Sequence, residues 1–197
     1  MISSRRLFIL CLLCCFILPV KAEPLPRVVM KTTLGEMEIE LYADKAPVTV
    51  ANFLNYVKSG FYKGTVFHRV VYGWIIQGGG YDKDLIPRET GAPIINEADN
   101  GLKNMRGTIA MARTSDPDSA DSQFFINLQD NPSFDFKAKT RRSWGYCVFG
   151  RVVRGMEVAD AIGEVEKHEV EGFGSTVPVE PVIIEDISLT GEPGGGK

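Results

Sequence analysis

From Arg27 to Tyr42 apolar and polar residues alternate on either side of Leu34-Gly35, with Met37, Ile39 and Leu41 on one face and Glu36, Glu38 and Glu40 on the other. Alternation of period two, interrupted by a glycine turn, predicts an antiparallel hairpin with one wet face. The period then changes. Val50, Phe53, Leu54 and Val57 form one helical stripe, Pro47 suits a first helical position and Ser59-Gly60 ends the run, so a helix is expected over 47–58. Four runs rich in branched and aromatic residues follow, Thr65–Val71, Trp74–Gly78, Thr108–Ala112 and Ser122–Leu128, the first two joined through Tyr72-Gly73. Each is expected as a strand. Residues 79–107 and 113–121 carry no such period, and irregular stretches that long in a compact domain commonly carry function. A strand at Tyr146–Val153, a short helix near Met156–Ile162, a Gly/Pro-punctuated loop and a closing strand at Val182–Leu189 complete the pattern. Eight short strands without regular strand–helix alternation argue against a doubly wound sheet. A barrel or sandwich with helices at its ends fits better.

Composition narrows this to one globular domain: 197 residues, 44% apolar and 24% charged, with mean hydropathy −0.03, exclude both a polytopic membrane protein and a wholly disordered chain. The first 22 residues stand apart. Arg5 and Arg6 precede Leu7–Val20, an uncharged run of 14 residues, and Val20-Lys21-Ala22 follows. The run is shorter than the roughly 20 residues of a membrane-spanning helix, so a secretory signal cleaved after Ala22 is expected, with an uncleaved membrane anchor as the alternative. Lipid attachment is disfavoured, because Cys11, Cys14 and Cys15 follow Leu10, Leu13 and Cys14 rather than a small residue. The expected division is a signal at 1–22, one domain at 23–190 and a frayed tail at 191–197.

Cleavage would remove Arg5, Arg6 and Lys21, leaving 19 of the 22 basic residues against 25 acidic ones, a net charge of −6. Nucleic acid is then a poor partner. Three of the four cysteines would leave with the signal. Cys147, inside Tyr146-Cys147-Val148-Phe149, would remain without a disulfide partner and reads as a small core hydrophobe.

The domain's chemistry is first narrowed by what it lacks. His68 and His168 are far apart, with no Cys-x-x-Cys or His-x-x-x-His, so zinc is unsupported; there is no G-x-S-x-G, and no G-K-[ST] follows Gly78-Gly79-Gly80. The glycine triplet marks a strand end where backbone turns tightly or lies close to something. Glu36, Glu38 and Glu40 on the wet strand face, and Glu164, Glu166, Glu169 and Glu171 in the late loop, read as solvation. One feature stands out: a cation inside apolar sequence, Phe67-His68-Arg69-Val70-Val71, followed by Trp74-Ile75-Ile76-Gln77. Arg69 is either a surface or ion-paired strand residue or a functional donor.

The strings FHRVVYGWIIQGGG (67–80), NEADNGLKNMRGTIAMART (96–114), DSQFFIN (121–127) and GYCVFGRVVRGMEVAD (145–160) together resemble cyclophilin-type peptidyl-prolyl cis-trans isomerases, especially the bacterial exported subgroup. The resemblance runs from about Arg27 to Leu189. It implies a mainly β fold, a closed eight-stranded antiparallel barrel capped by two helices. It also implies an enzyme that needs no cofactor and accelerates X-Pro isomerisation in exported proteins. Its implied partners are proline-containing segments of those proteins, and its implied location is beyond the inner membrane, the periplasm in a Gram-negative source. After signal cleavage no membrane insertion is expected, and the default state is a monomer.

By the same resemblance, Arg69 matches the family's essential arginine and Gln77 the glutamine that positions it. Trp74, Ile75, Phe125 and Phe134 match the apolar wall around the proline ring, with ordinary core packing an alternative for Phe125. Met111, Ala112 and Gln123 match the neighbouring groove, and Arg113 a position that works through its backbone. Tyr146 replaces a histidine of the eukaryotic pattern and is placed to bond the peptide. His68 lines the groove in the family, and here also fits a packed strand histidine. Three departures matter: Trp74 stands where phenylalanine is usual, Ile75 where methionine is usual, and Ser133 where many relatives carry tryptophan. Loss of that indole implies weak cyclosporin binding. The competing readings are a binding module or chaperone that holds proline segments without turnover, and a barrel carrying a small molecule, which the bulky barrel-facing residues disfavour.

Overall fold

The computed structural model describes residues 25–190; the expected signal and tail lie outside them. Its main sheet contains eight antiparallel strands, β1 (Arg27–Thr32), β2 (Gly35–Leu41), β3 (Arg69–Val71), β4 (Ile75–Gly78), β5 (Thr108–Met111), β6 (Phe124–Asn127), β7 (Val148–Arg154) and β10 (Ile184–Leu189). They are ordered β10-β1-β2-β7-β5-β6-β4-β3. All eight occupy expected runs. The hairpin has the expected faces, since Met37, Ile39 and Leu41 are buried while Glu38 and Glu40 pair outside with Arg27.

The barrel is not closed as expected. The sheet curls through 223° and stops as a half-barrel, with β3 at one edge and β10 at the other. The expected strand Thr65–Val71 explains the opening, because its first residues divide their backbone bonds between two neighbours. Val66 N–H donates to Tyr81 O, whereas Phe67 N–H donates to Val182 O, so the seam holds a lone bridge, Val66 to Ile183, instead of a ladder.

Two helices cover the openings of the curled sheet. Helix α1 (Pro47–Lys58) buries Val50, Phe53 and Val57, and Phe53 meets Tyr62, Phe124 and Phe149 at ring distances of 5.2, 5.8 and 5.3 Å. Its first turn has no side-chain cap of its own. Glu97 supplies one from a distant loop, accepting from Val48 N–H (3.1 Å), Thr49 N–H (2.8 Å) and the Thr49 hydroxyl (2.7 Å). Helix α2 (Met156–Glu164) sits at the opposite end of β6. Gly163 lies against Leu128 there, and Val158 lies against Gly35 of the hairpin turn. Cys147 is buried beside Thr49, and burial pushes its thiol up to about 12, which leaves it an unreactive core group.

One element was not expected. The glutamate-bearing loop after α2 forms a hairpin of β8 (Lys167–Val170) and β9 (Gly174–Pro178), separate from the main sheet but packed on β3. Its turn residue Phe173 and Tyr81 meet His68 edge to face, with ring centroids 6.1 and 4.6 Å from the imidazole. His68 is 4% exposed and its Nδ1 has no hydrogen-bond partner. The imidazole faces a pocket of about 370 Å³ whose lining also includes Lys83, Leu85, His168 and Val177. This places it away from the groove to which the resemblance assigned it.

Burial, reinforced by the charge of Arg69 and opposed by a hydrogen bond to Val66, lowers the pKa of His68 to about 4. The folded protein therefore resists a proton that the unfolded chain accepts near pH 6.5. Stability from this group is complete above that value and falls as pH drops toward 4. Replacing His68 by Phe removes the ionisation. Between pH 7 and pH 4.5 the stability difference, measured by urea unfolding, is expected to move in the variant's favour by about 2 kcal/mol; parallel losses in both proteins would contradict the assignment.

Candidate active site

Strands β3 and β4 form a tight antiparallel pair in which Arg69 lies opposite Gln77 and Val71 opposite Ile75. Alternation therefore puts Arg69, Gln77 and Ile75 on one face of the sheet, with Val70 and Ile76 turned into the main core. Strand β6 continues the outer face with Phe125, paired with Gln77 on one side and Ala110 on the other. The result is a second apolar cluster, distinct from the barrel interior. Ile75, Ala110, Ala112, Phe125 and Val148 form its buried floor, and Trp74, Phe134 and Tyr146 stand half-buried around it.

The surrounding rings are in continuous contact. Centroids are 5.2 Å apart for Trp74–Phe134, 4.9 Å for Phe134–Tyr146, and 5.5 Å for both Phe125–Phe134 and Phe125–Tyr146. Arg69 stands at the edge of this surface. Its guanidinium lies 5.7 Å from the Trp74 ring centre and donates a long bond to Gln77 Oε1 (3.4 Å). Gln77 in turn donates to Gln123 Oε1 (3.1 Å). Cation–π attraction and this amide relay orient a planar donor that is always charged, while most of its N–H groups have no partner among the described residues.

The glycine triplet admits close packing here, and its last residue, Gly80, borders this relay. A Cβ on Gly79, which has φ +84°, would lie 2.7 Å from Phe124, and one on Gly80 would collide with the Gln123 side chain. Only bare backbone leaves Gln123 room to accept from Gln77. Beyond it lies a polar recess of about 190 Å³ lined by Gln77, Ala112, Arg113, Thr114, Ser119, Asp121 and Gln123.

Most of the expected residues thus meet: Arg69, Gln77, Trp74, Ile75, Ala112, Arg113, Gln123, Phe125, Phe134 and Tyr146 share this outer face or its adjoining recess. Two do not. His68 packs under the β8–β9 hairpin, as described above. Met111 pairs with Phe124 and packs in the main core, because its chain neighbours Ala110 and Ala112 face outward. Arg113 does more with its side chain than was expected. Its Nε donates to Gly145 O (2.9 Å), Nη1 donates to Thr114 O (2.9 Å), and the guanidinium covers the Tyr146 ring at 4.7 Å.

Sequence reasoning missed the polar network that fixes the loop carrying Phe134. Asn131 donates from Nδ2 to Asn127 Oδ1 (2.7 Å) and from its backbone to Asn104 O (2.7 Å); Asn104 N–H donates to Asp135 Oδ1 (2.8 Å). Asn127 is anchored by a bond from Nδ2 to Thr108 Oγ1 (2.9 Å). These three asparagines are buried, and each lost partner would leave a desolvated polar group. Phe134 is held between Asn131 and Asp135. Its carbonyl accepts from Tyr146 N–H (2.9 Å), an approach that requires Gly145, where a Cβ would lie 2.6 Å from that carbonyl oxygen. The only hint of this in the sequence was asparagine in stretches read as loops, at Asn104 and Asn131; Asn127 lay in an expected strand.

A non-covalent donor above a rigid apolar floor suits a reaction that redistributes charge on a bound amide without a nucleophile. Comparison with known proteins agrees. A family model described as "Cyclophilin type peptidyl-prolyl cis-trans isomerase/CLD" matches residues 27–189. Peptidyl-prolyl cis-trans isomerase A of Dickeya dadantii is 51% identical over 163 residues, 83% of this chain and 84% of that protein. Peptidyl-prolyl cis-trans isomerase B of Escherichia coli is 49% identical over 163 residues, 83% of this chain and 99% of that one. A crystal structure of a Cryptosporidium parvum cyclophilin type peptidyl-prolyl cis-trans isomerase has a TM-score of 0.71 at 28% identity, covering 86% of this chain and 99% of its own. The structure of the parvum protein in the presence of the dipeptide Ala-Pro has a TM-score of 0.68. With the match spanning both sheet edges, the outer groove and both helices, the chain belongs to the cyclophilin-type peptidyl-prolyl cis-trans isomerases and is an enzyme of that activity.

Proposed function

We propose that the isomerase acts at the outer groove on prolyl bonds of exported polypeptides, with Arg69 as the catalytic donor and Gln77 as its positioning partner. Rotation about an X-Pro bond is opposed by a barrier of roughly 18–20 kcal/mol set by amide conjugation. As the amide twists, conjugation is lost and the imide nitrogen pyramidalises. The enzyme gains rate only from contacts stronger in that state than in either planar one. The floor of Ile75, Ala112 and Phe125, walled by Trp74, Phe134 and Tyr146, holds the proline ring. Arg69 contacts the prolyl carbonyl and approaches the nitrogen as it becomes a better acceptor. The observation carrying this reading is the register that places Arg69 opposite Gln77 beside the apolar cluster. The Cryptosporidium relative determined with Ala-Pro supports the class of ligand.

A protease-free exchange assay with an Ala-Pro peptide tests it. Arg69→Ala is expected to lower kcat/KM roughly a hundredfold or more with the urea midpoint preserved. Arg69→Lys restores little, because an ammonium lacks the planar fork. A folded Arg69→Ala protein with wild-type rates would overturn the role.

Ser133 stands exposed in the short 3₁₀ turn Pro132–Phe134, at the position where the family resemblance expects a tryptophan. Cyclosporin is accordingly expected to bind weakly, with a dissociation constant well above the nanomolar range by calorimetry; nanomolar binding would contradict this. The exported role rests on the basic–apolar leader of residues 1–22. Intact-mass analysis of the mature protein is expected to show a chain beginning at Glu23, and retention of residue 1 in the mature protein would contradict it.

A further inference from the structure

Beside the proposed prolyl groove lies an open depression of about 600 Å³ lined by Arg113, Thr114, Ser115, Arg141, Arg142 and Tyr146. Three guanidinium groups gather there on a protein whose overall charge is negative. None of the three takes part in an ion pair among the described residues, although Arg27, Arg106, Arg151 and Arg154 all do. The acids nearest in sequence are engaged elsewhere. Asp116 Oδ1 accepts from Asp118 N–H, Asp118 Oδ1 from Asn96 N–H, and Asp121 Oδ2 from the Thr90 hydroxyl. No carboxylate of the described residues pairs with these guanidiniums, so an anionic ligand would find them unshared.

We infer that this depression is an acid-recognising subsite, and that the enzyme prefers prolyl segments carrying a glutamate or aspartate within one or two residues of the proline. The inference rests on the assignment of the outer groove as the prolyl site. Tyr146 joins the two regions: its ring contacts Phe125 and Phe134, and the Arg113 guanidinium covers it at 4.7 Å. An extended chain advances roughly 3.3–3.6 Å per residue, so a residue adjacent or next-adjacent to a proline on Phe125 reaches past Tyr146 to the arginines. Arg113 is preorganised for that contact. Gly145 O and Thr114 O fix its Nε and Nη1, and Nη2 has no partner among the described residues. Arg141 and Arg142 are exposed and complete the basic side of the recess. A carboxylate there receives charge-assisted hydrogen bonds, which a glutamine cannot match and a lysine opposes.

The test is a matched set of peptides with Glu, Gln or Lys placed before or after an Ala-Pro unit, assayed by NMR exchange with the full mature protein and with Arg141→Ala/Arg142→Ala. Wild type is expected to show kcat/KM for the Glu peptide roughly three- to tenfold above Gln and further above Lys at low salt, a preference that collapses as salt shortens the Debye length. In the double variant the Glu-to-Lys ratio falls toward one. A wild type that turns over Gln peptides but does not discriminate among the three overturns the subsite while leaving the isomerase groove intact, as does a preference that survives unchanged in the variant. If the exchange is lost with Arg69→Ala for no peptide, it is the groove assignment that fails.

Discussion

Strand β3 is three residues long and forms the edge of the sheet, so its ladder contacts are all with β4. That one register fixes the functional face. It places Arg69 across from Gln77, with Phe125 next along the sheet, and strict alternation sends Val70 and Ile76 into the core behind them. A slip by one residue would exchange the two faces, burying a guanidinium and exposing a valine. The buried aliphatic side chains therefore enforce the position of the charged one. The half-closed curl contributes as well. At the seam, residues 65–67 divide their backbone bonds between two neighbours, leaving β3 free of a second ladder partner.

The loops of this protein are fixed by polar chemistry, in contrast to the sheet. Phe134 and Tyr146 come from segments without regular hydrogen bonding, yet they meet Phe125 at defined ring contacts. Asn104, Asn127 and Asn131 hold those segments from below, and Gly145 admits the close passage of backbone that lets Tyr146 N–H reach Phe134 O. Rigid walls matter for this kind of catalysis, since a donor can favour a twisted amide over a planar one only if the pocket does not follow the substrate as it turns. Glu97 extends the same strategy, tying a long loop to the first turn of α1.

The strands of the main sheet, both helices and the core were legible because their signals are local. Alternation marked Met37, Ile39 and Leu41, and the helical stripe marked Val50, Phe53 and Val57. Closure of the barrel was not legible, since it depends on how Thr65 and Val66 divide their bonds among partners remote in sequence. The β8–β9 hairpin was hidden by its glutamates and glycines, which suggest solvent on every side until Phe173 is seen against Tyr81 and His68. Family resemblance supplied the groove residues, and the structure gathered all but His68 and Met111. Strand parity separates Met111 from Ala110 and Ala112, a distinction visible once the strand is known. The asparagine network and the basic depression arise from tertiary proximity alone, so no spacing in the chain announces them.

The most direct test of the account is a titration of isotope-labelled mature protein with an Ala-Pro peptide, recording shift changes and cis–trans exchange in the same sample. The account predicts that perturbations gather at Arg69, Trp74, Phe125, Phe134 and Tyr146 and that exchange peaks appear between the two peptide isomers. Perturbations centred instead on His68, Tyr81 and Phe173, or binding at the groove without any acceleration of exchange, would contradict it.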